Sequence, residues 1–177
     1  MSEEQQSPTH GSIGAPQGRP SERREVQRTI NLWQRNVLED CGAPLLTSFD
    51  FSAMKGDWGN RFLICSDRNI ENAAFVLYGM HFAQLLGLPQ KVTGIVPLVQ
   101  QLPQRYEPVF TDGCIKALTE PAPARFSGSF SHEFKNELYR AVFLPIRMHP
   151  NWSKWVIFGS FNYRMVLSVD QKKPTEE

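Results

Sequence analysis

Large apolar residues recur between Ser21 and Asp40 as Val26, Ile30, Trp33 and Val37, at spacings of four, three and four. This is one face of an amphipathic helix. Glu22 favours a helix start near Ser21, and Gly42 and Pro44 end it. The next stretch, PLLTSFDFSAMKGDWGN, holds no sustained period, and its glycines Gly56 and Gly59 read as turn residues. Two strand-like runs follow, RFLICS (Arg61 to Ser66) and NAAFVLYG (Asn72 to Gly79), with the turn residues Asp67 to Asn69 between them. They predict a hairpin of neighbouring strands.

The period changes again within FVLYGMHFAQLLGL, which begins as a strand and ends as a short helix closed by Gly87 and Pro89. Ala74, Val76 and Tyr78 would share one face of the strand, Gly79 would let the chain turn sharply, and His81 would sit in the first helical turn. Pro97, Pro103 and Pro108 divide the following region into short pieces, in which Tyr106, Phe110, Ile115 and Leu118 keep near-helical spacing. Alternation returns in ARFSGSFSHE, and ELYRAVFLPIRMH and WVIFGSFNYRMVL are longer runs rich in aromatic and β-branched residues. These predict three antiparallel strands, joined at Lys135 to Asn136 and at His149 to Ser153. Two strands, a middle group of helices and three closing strands describe an α+β domain with a five-stranded antiparallel sheet.

Composition narrows the reading. The 177 residues, 41% of them hydrophobic, suffice for one core. Residues 1–20, rich in Gln, Ser, Gly and Pro, read as a disordered tail, 21–42 as the leading helix, 43–168 as the domain and 169–177 as a second tail. A net charge of +1 gives no global reason to expect nucleic acid or an anionic membrane as partner. The polar, acidic start and the lack of a long apolar run predict a cytoplasmic protein without a membrane span.

No catalytic constellation is visible. GxSxG, P-loop and GxGxxG patterns are missing. Cys41, Cys65 and Cys114 form no CxxC pair and read as reduced, mostly packed thiols. His132, Glu133 and Glu137 form a compact polar cluster, but one placed in a hairpin turn, so it reads as solvated and no metal site is expected. Arg140 and Arg164 stand beside Tyr139 and Tyr163 and read as exposed strand residues. In the last strand Trp155, Ile157, Gly159, Phe161 and Tyr163 alternate with Val156, Phe158, Ser160, Asn162 and Arg164, so both faces are partly apolar. Both faces therefore need cover.

With a helix carrying Trp33 and Gln34, the strand RFLIC, the run FVLYGMHFAQLLGL, then PLVQQLPQRYEPVF, GCIKALTEPAPARFSG, LYRAVFLPI and IFGSFNYR, the chain resembles a PAS domain. The likeness is nearest to the stand-alone PAS proteins of alphaproteobacteria and spans about Asn31 to Arg164. It implies a pocket between the sheet and the short helices. Its lining would come from Tyr78, His81 and Phe82 at the strand–helix junction, Phe110 and Cys114 on the later helix, and Phe143 and Phe158 on the closing strands. The resemblance also implies that Ile30, Trp33 and Val37 on the leading helix meet either the back of the sheet or a second copy, the latter making a homodimer. The cofactor stays open, because members of that family hold haem, flavin, small metabolites or nothing. Haem-binding relatives place their iron ligand on the later helix, which here lacks histidine, and the flavin-adduct run GxNCRFLQ is missing. The resemblance implies a sensory or protein-interaction module without enzymatic activity, which must act on a signalling partner because the chain ends soon after its last strand. Two alternatives stay open. One is a small enzyme or ligand carrier using Tyr78, His81 and Arg140, and the other a dimerisation domain filled by Phe75, Phe82, Phe126, Phe143 and Phe158.

Overall fold

A two-stranded hairpin and a three-stranded antiparallel meander are joined side by side through the first and last strands. The computed structural model describes residues 21–38, 42–52, 58–132 and 135–167. Within them lie helix α1 (Ser21–Arg35), strands β1 (Arg61–Ser66) and β2 (Ala74–Tyr78), and helices α2 (Met80–Leu86), α3 (Leu98–Gln101) and α4 (Glu107–Thr119). Strands β3 (Ala124–His132), β4 (Lys135–Arg147) and β5 (Trp155–Leu167) close the chain. The five strands make one open antiparallel sheet in the order β2-β1-β5-β4-β3, with β1 and β5 paired at its centre. The architecture is α+β, as the two period changes predicted.

The front of the sheet faces α4. Val109, Phe110, Gly113, Cys114, Ala117 and Leu118 are the buried residues of α4 and recur every three or four positions, so they form one stripe. Ile115, grouped with that stripe in the sequence, is half exposed. Opposite the stripe stand Phe62 on β1, Phe143 on β4 and Phe161 on β5. Leu63 and Leu144, adjacent to the first two, and Phe158, which is in register with both, point to the back, where α1 lies. An ion pair between Glu25 of α1 and Arg61 of β1 fixes the helix there.

Helix α1 ends at Arg35, earlier than the spacing of Val37 suggests. The Asn36 side-chain amide donates to Leu32 O at 2.8 Å and its backbone N–H turns back to Trp33 O at 3.0 Å, which ties off the last turn. Val37 is half-buried beyond the helix, and Cys41 lies outside the described residues, as do both tails and Glu133. Lys135 and Asn136 are paired with His132 and Ser131, so they belong to β4 and not to the turn expected there. The second join, between Arg147 and Trp155, falls where the sequence placed it.

Pro145 lies within β4 without breaking it. It faces Ile157 on β5, while β3 has already ended at Ala124, opposite Phe143. A proline is tolerated in such a strand when its missing N–H points away from the ladder. The carbonyl on that free side accepts the indole N–H of Trp33 at 2.7 Å, and two residues on, Arg147 N–H donates to Pro44 O at 2.9 Å. Helix α1 and the segment after it therefore take over the place that β3 vacates.

Candidate functional site

Strand β2 departs from simple alternation. Leu63 pairs with Leu77, but Ile64 pairs with Phe75, so Val76 is an extra, bulged residue. Tyr78 and Phe75 consequently share the front face, with ring centroids 5.6 Å apart, and Val76 is 52% exposed. This corrects the expectation that Ala74, Val76 and Tyr78 would line one face. Gly79 has an extended backbone at φ −79° and ψ 161°. Its lack of a side chain is required by close approach, because a Cβ there would lie 2.2 Å from Gly59 O. That same carbonyl accepts the N–H of Phe82 at 3.0 Å, and Gly87, in the left-handed region at φ 67°, ends α2.

The structure brings together five of the seven expected pocket residues, Tyr78, Phe82, Phe110, Cys114 and Phe143, and fills the space between them. Phe62 lies 5.2 Å from Phe82, 5.3 Å from Phe110 and 5.5 Å from Phe143, ring centre to ring centre. Gly113 of α4 and Gly159 of β5 make room for these rings. A Cβ on Gly113 would sit 2.2 Å from the Phe143 ring, and one on Gly159 would sit 2.3 Å from that of Phe62. Such contacts leave the front interior packed with aromatic carbon. Cys114 is fully buried, and desolvation pushes its thiol well above the usual range. The Tyr78 hydroxyl donates to Pro89 O at 2.8 Å.

The other two expected lining residues lie elsewhere. His81 is exposed at the start of α2. Phe158 is on the back, against Phe49 at 5.6 Å, Phe51 at 5.9 Å and Trp58 at 6.0 Å, because it is one residue out of phase with Gly159 and Phe161. Phe158 is thus a correction to the pocket expectation. Ile30 and Trp33 are buried within the single chain against the back of the sheet. Tyr78, His81 and Arg140 do not converge, since Arg140 is on β4, separated from β2 by β1 and β5. Of the front-filling rings named earlier, Phe126 reaches Phe143 at 5.8 Å while Phe158 does not share that face.

Sequence reasoning missed a polar cluster at the start of α4. Glu137, expected in a solvated turn, is buried on β4. Its carboxylate takes Arg105 at 3.2 Å and the Tyr106 hydroxyl at 3.3 Å. The Arg105 guanidinium also lies over the Tyr106 ring at 4.6 Å. Burial first, and the Glu137 charge second, push the Tyr106 hydroxyl up to about 12. This cluster clamps α4 to the sheet. A signal for it was present in the strand period, since Glu137 alternates with Tyr139 and Ala141, which also face α4.

Among the described residues, grooves open on the back of β2, which α1 and the segment around Phe49, Phe51 and Trp58 leave uncovered. Two adjoining grooves, of about 490 Å³ and 520 Å³, share Val76 and Val92. The first has Cys65 and Ala74 in its floor, Ile95 in its wall, and Asp67 and Lys154 at its end. The second continues past Leu77 and Met80 to Trp58 and Lys91. Burial raises the Cys65 thiol, against the opposing charge of Lys154, so this groove holds a protonated sulfur at neutral pH. Among the described residues no group of histidine, cysteine and acidic side chains could hold a metal ion, and no helix is long and apolar enough to cross a membrane.

Compared with known proteins, the chain matches no family model, no curated protein and no solved structure.

Proposed function

We propose that this chain is a cytoplasmic PAS-type sensory or protein-interaction module that acts in trans on a signalling partner. The reading is supported most by the connection of α1 to the helical layer through one strand. In β4, Phe143 packs on Phe110 of α4 at the front, and two residues later the Pro145 carbonyl holds Trp33 of α1 at the back. A rearrangement on either face displaces the shared strand, and α1 has two ways to respond, by staying docked or by lifting from Pro145. The order of two strands, short helices and a three-stranded antiparallel return is the order expected of a PAS domain.

The packed front interior favours an interaction module over a sensor that encloses a large cofactor. Native mass spectrometry of the protein purified from its own host, with an absorption spectrum, tests this. A stoichiometric protein partner is the expected result. A bound haem or flavin with no partner would overturn the interaction reading and establish a sensor, and a chain that travels alone and turns over a substrate would overturn both.

A further inference from the structure

The chain guards one edge of its sheet and leaves the other open. At the β2 edge, Val76 forms a bulge, and the segment after α2 runs along the outer side, where Pro97 bridges to Ala74 and Leu98 N–H reaches Ala73 O at 2.8 Å. Bulges, prolines and covering segments are what keep an edge strand from pairing with another chain. Within β3, at the opposite edge, there are none of these. It keeps an unbroken register with β4 from Ala124, opposite Phe143, to His132, opposite Lys135. Among the described residues, the main chain of 125–131 makes no hydrogen bond except to β4, so its outward N–H and C=O groups are unpaired.

The sequence along this open edge reads the same in both directions. Phe126-Ser127-Gly128-Ser129-Phe130 is a palindrome centred on Gly128. Two identical strands paired antiparallel are related by a two-fold axis. With that axis at Gly128, Phe126 stands opposite Phe130 of the second copy and Ser127 opposite Ser129, in both halves of the joint. Aromatic pairs and hydroxyl pairs across strands stabilise a sheet, whereas like charges directly opposite destabilise it. Arg125, the one charged residue from 125 to 131, falls opposite Ser131, and the two arginines stand about 20 Å apart.

The side chains along the edge are already placed for this. Phe126 is held by Phe143 at 5.8 Å and by the Lys116 ammonium over its ring, and Phe130 stacks on Tyr139 at 4.9 Å. Gly128 has no side chain because the Tyr139 hydroxyl fills its place, 2.7 Å from where a Cβ would lie. The serines on either side of it are exposed and too short to obstruct a neighbouring strand. Helix α1 is not available for the same role, since Ile30 and Trp33 are spent on the chain's own sheet.

We propose that β3 is the contact between two copies of this chain, paired antiparallel about a two-fold axis at Gly128 so that their sheets become continuous. Strand addition satisfies the free main-chain groups of both copies at once. A second copy is selected over a foreign strand because it brings the same palindrome in the reverse direction. The inference goes beyond the proposed function and does not rest on it.

The test is sedimentation of the full chain over a range of concentrations, with hydrogen exchange read by mass spectrometry. A monomer–dimer equilibrium is expected, with exchange in residues 125–131 slowing as the dimer forms. Ser127→Glu combined with Ser129→Glu sets acid opposite acid at two places and should raise the dimer dissociation constant at least about tenfold. Ser127→Glu combined with Ser129→Lys sets opposite charges at the same places and should restore the dimer, which separates the two-fold register from any general effect of substitution. If the double glutamate variant fails to fold, the concentration dependence of exchange at 125–131 in the unaltered chain decides. A chain that stays monomeric, a dimer that both variants leave unchanged, or protection confined to other residues would each overturn the inference. So would protection of 125–131 by a different host protein, since the occupant would then be a foreign strand. If the dimer fails while the host-purified protein still carries a partner, the edge contact is wrong and the interaction module stands.

Discussion

Replacing Gly113 by alanine sets two effects of opposite sign against each other. In the middle of a helix, alanine is favoured over glycine by about 0.8–1 kcal/mol, so propensity alone predicts stabilisation. The added Cβ, however, would lie 2.2–2.5 Å from three atoms of the Phe143 ring. Carbon atoms rest about 3.5–4 Å apart, so the ring or the helix must withdraw by more than an ångström. The ring has nowhere to go, being enclosed by Phe62 at 5.5 Å, Phe110 at 5.6 Å and Phe126 at 5.8 Å. Overpacking of this kind costs about 3 kcal/mol at the upper end of its range, which leaves a net loss of about 2 kcal/mol. For a chain of this size that is a fall in Tm of about 4–8 °C by calorimetry. In a Phe143→Leu background the obstacle is smaller, and Gly113→Ala should cost much less or become stabilising. A Tm that rises in the wild-type background would show that the helix and sheet are not in the close contact described.

Trp33→Phe removes the donor to Pro145 O and also part of a buried indole, and should cost at least about 1–3 kcal/mol in urea unfolding, with earlier hydrogen exchange in α1 than in α4. Stability should fall as the pH rises from 10 toward about 12, because the unfolded Tyr106 hydroxyl ionises at its ordinary value while the folded one holds its proton; Tyr106→Phe should flatten that loss, as read by Tm against pH. In a Cys41→Ser background, a maleimide at neutral pH should label Cys65 slowly and Cys114 only as fast as the chain unfolds, and rapid labelling of Cys114 by mass spectrometry would contradict its burial.

Periodicity along the chain determined the elements, because each helix and strand here has one face that must leave water. Val26, Ile30 and Trp33 announced α1, Arg61 to Ser66 and the run to Tyr78 announced a hairpin, and Gly87 and Pro89 announced the end of α2. The α+β class followed from their order. What period cannot carry is which of two apolar faces meets which layer. Phe158 and Phe161 are equally aromatic and nearly adjacent, yet one packs on Trp58 at the back and the other on Phe110 at the front. The bulge at Val76 was equally hidden, since an extra residue shows only against the partner strand, and it moved Val76 out of the interior and Phe75 into it. Glu137 looked solvated because charge argues for the surface unless a partner is near, and its partners Arg105 and Tyr106 are more than thirty residues away in sequence. The close packing of the front interior was hidden for the same reason. Phenylalanines at the right positions are compatible with a lined cavity or a filled one, and the glycines at 113 and 159, which let the rings close upon one another, acquire that meaning only when helix and sheet are brought face to face.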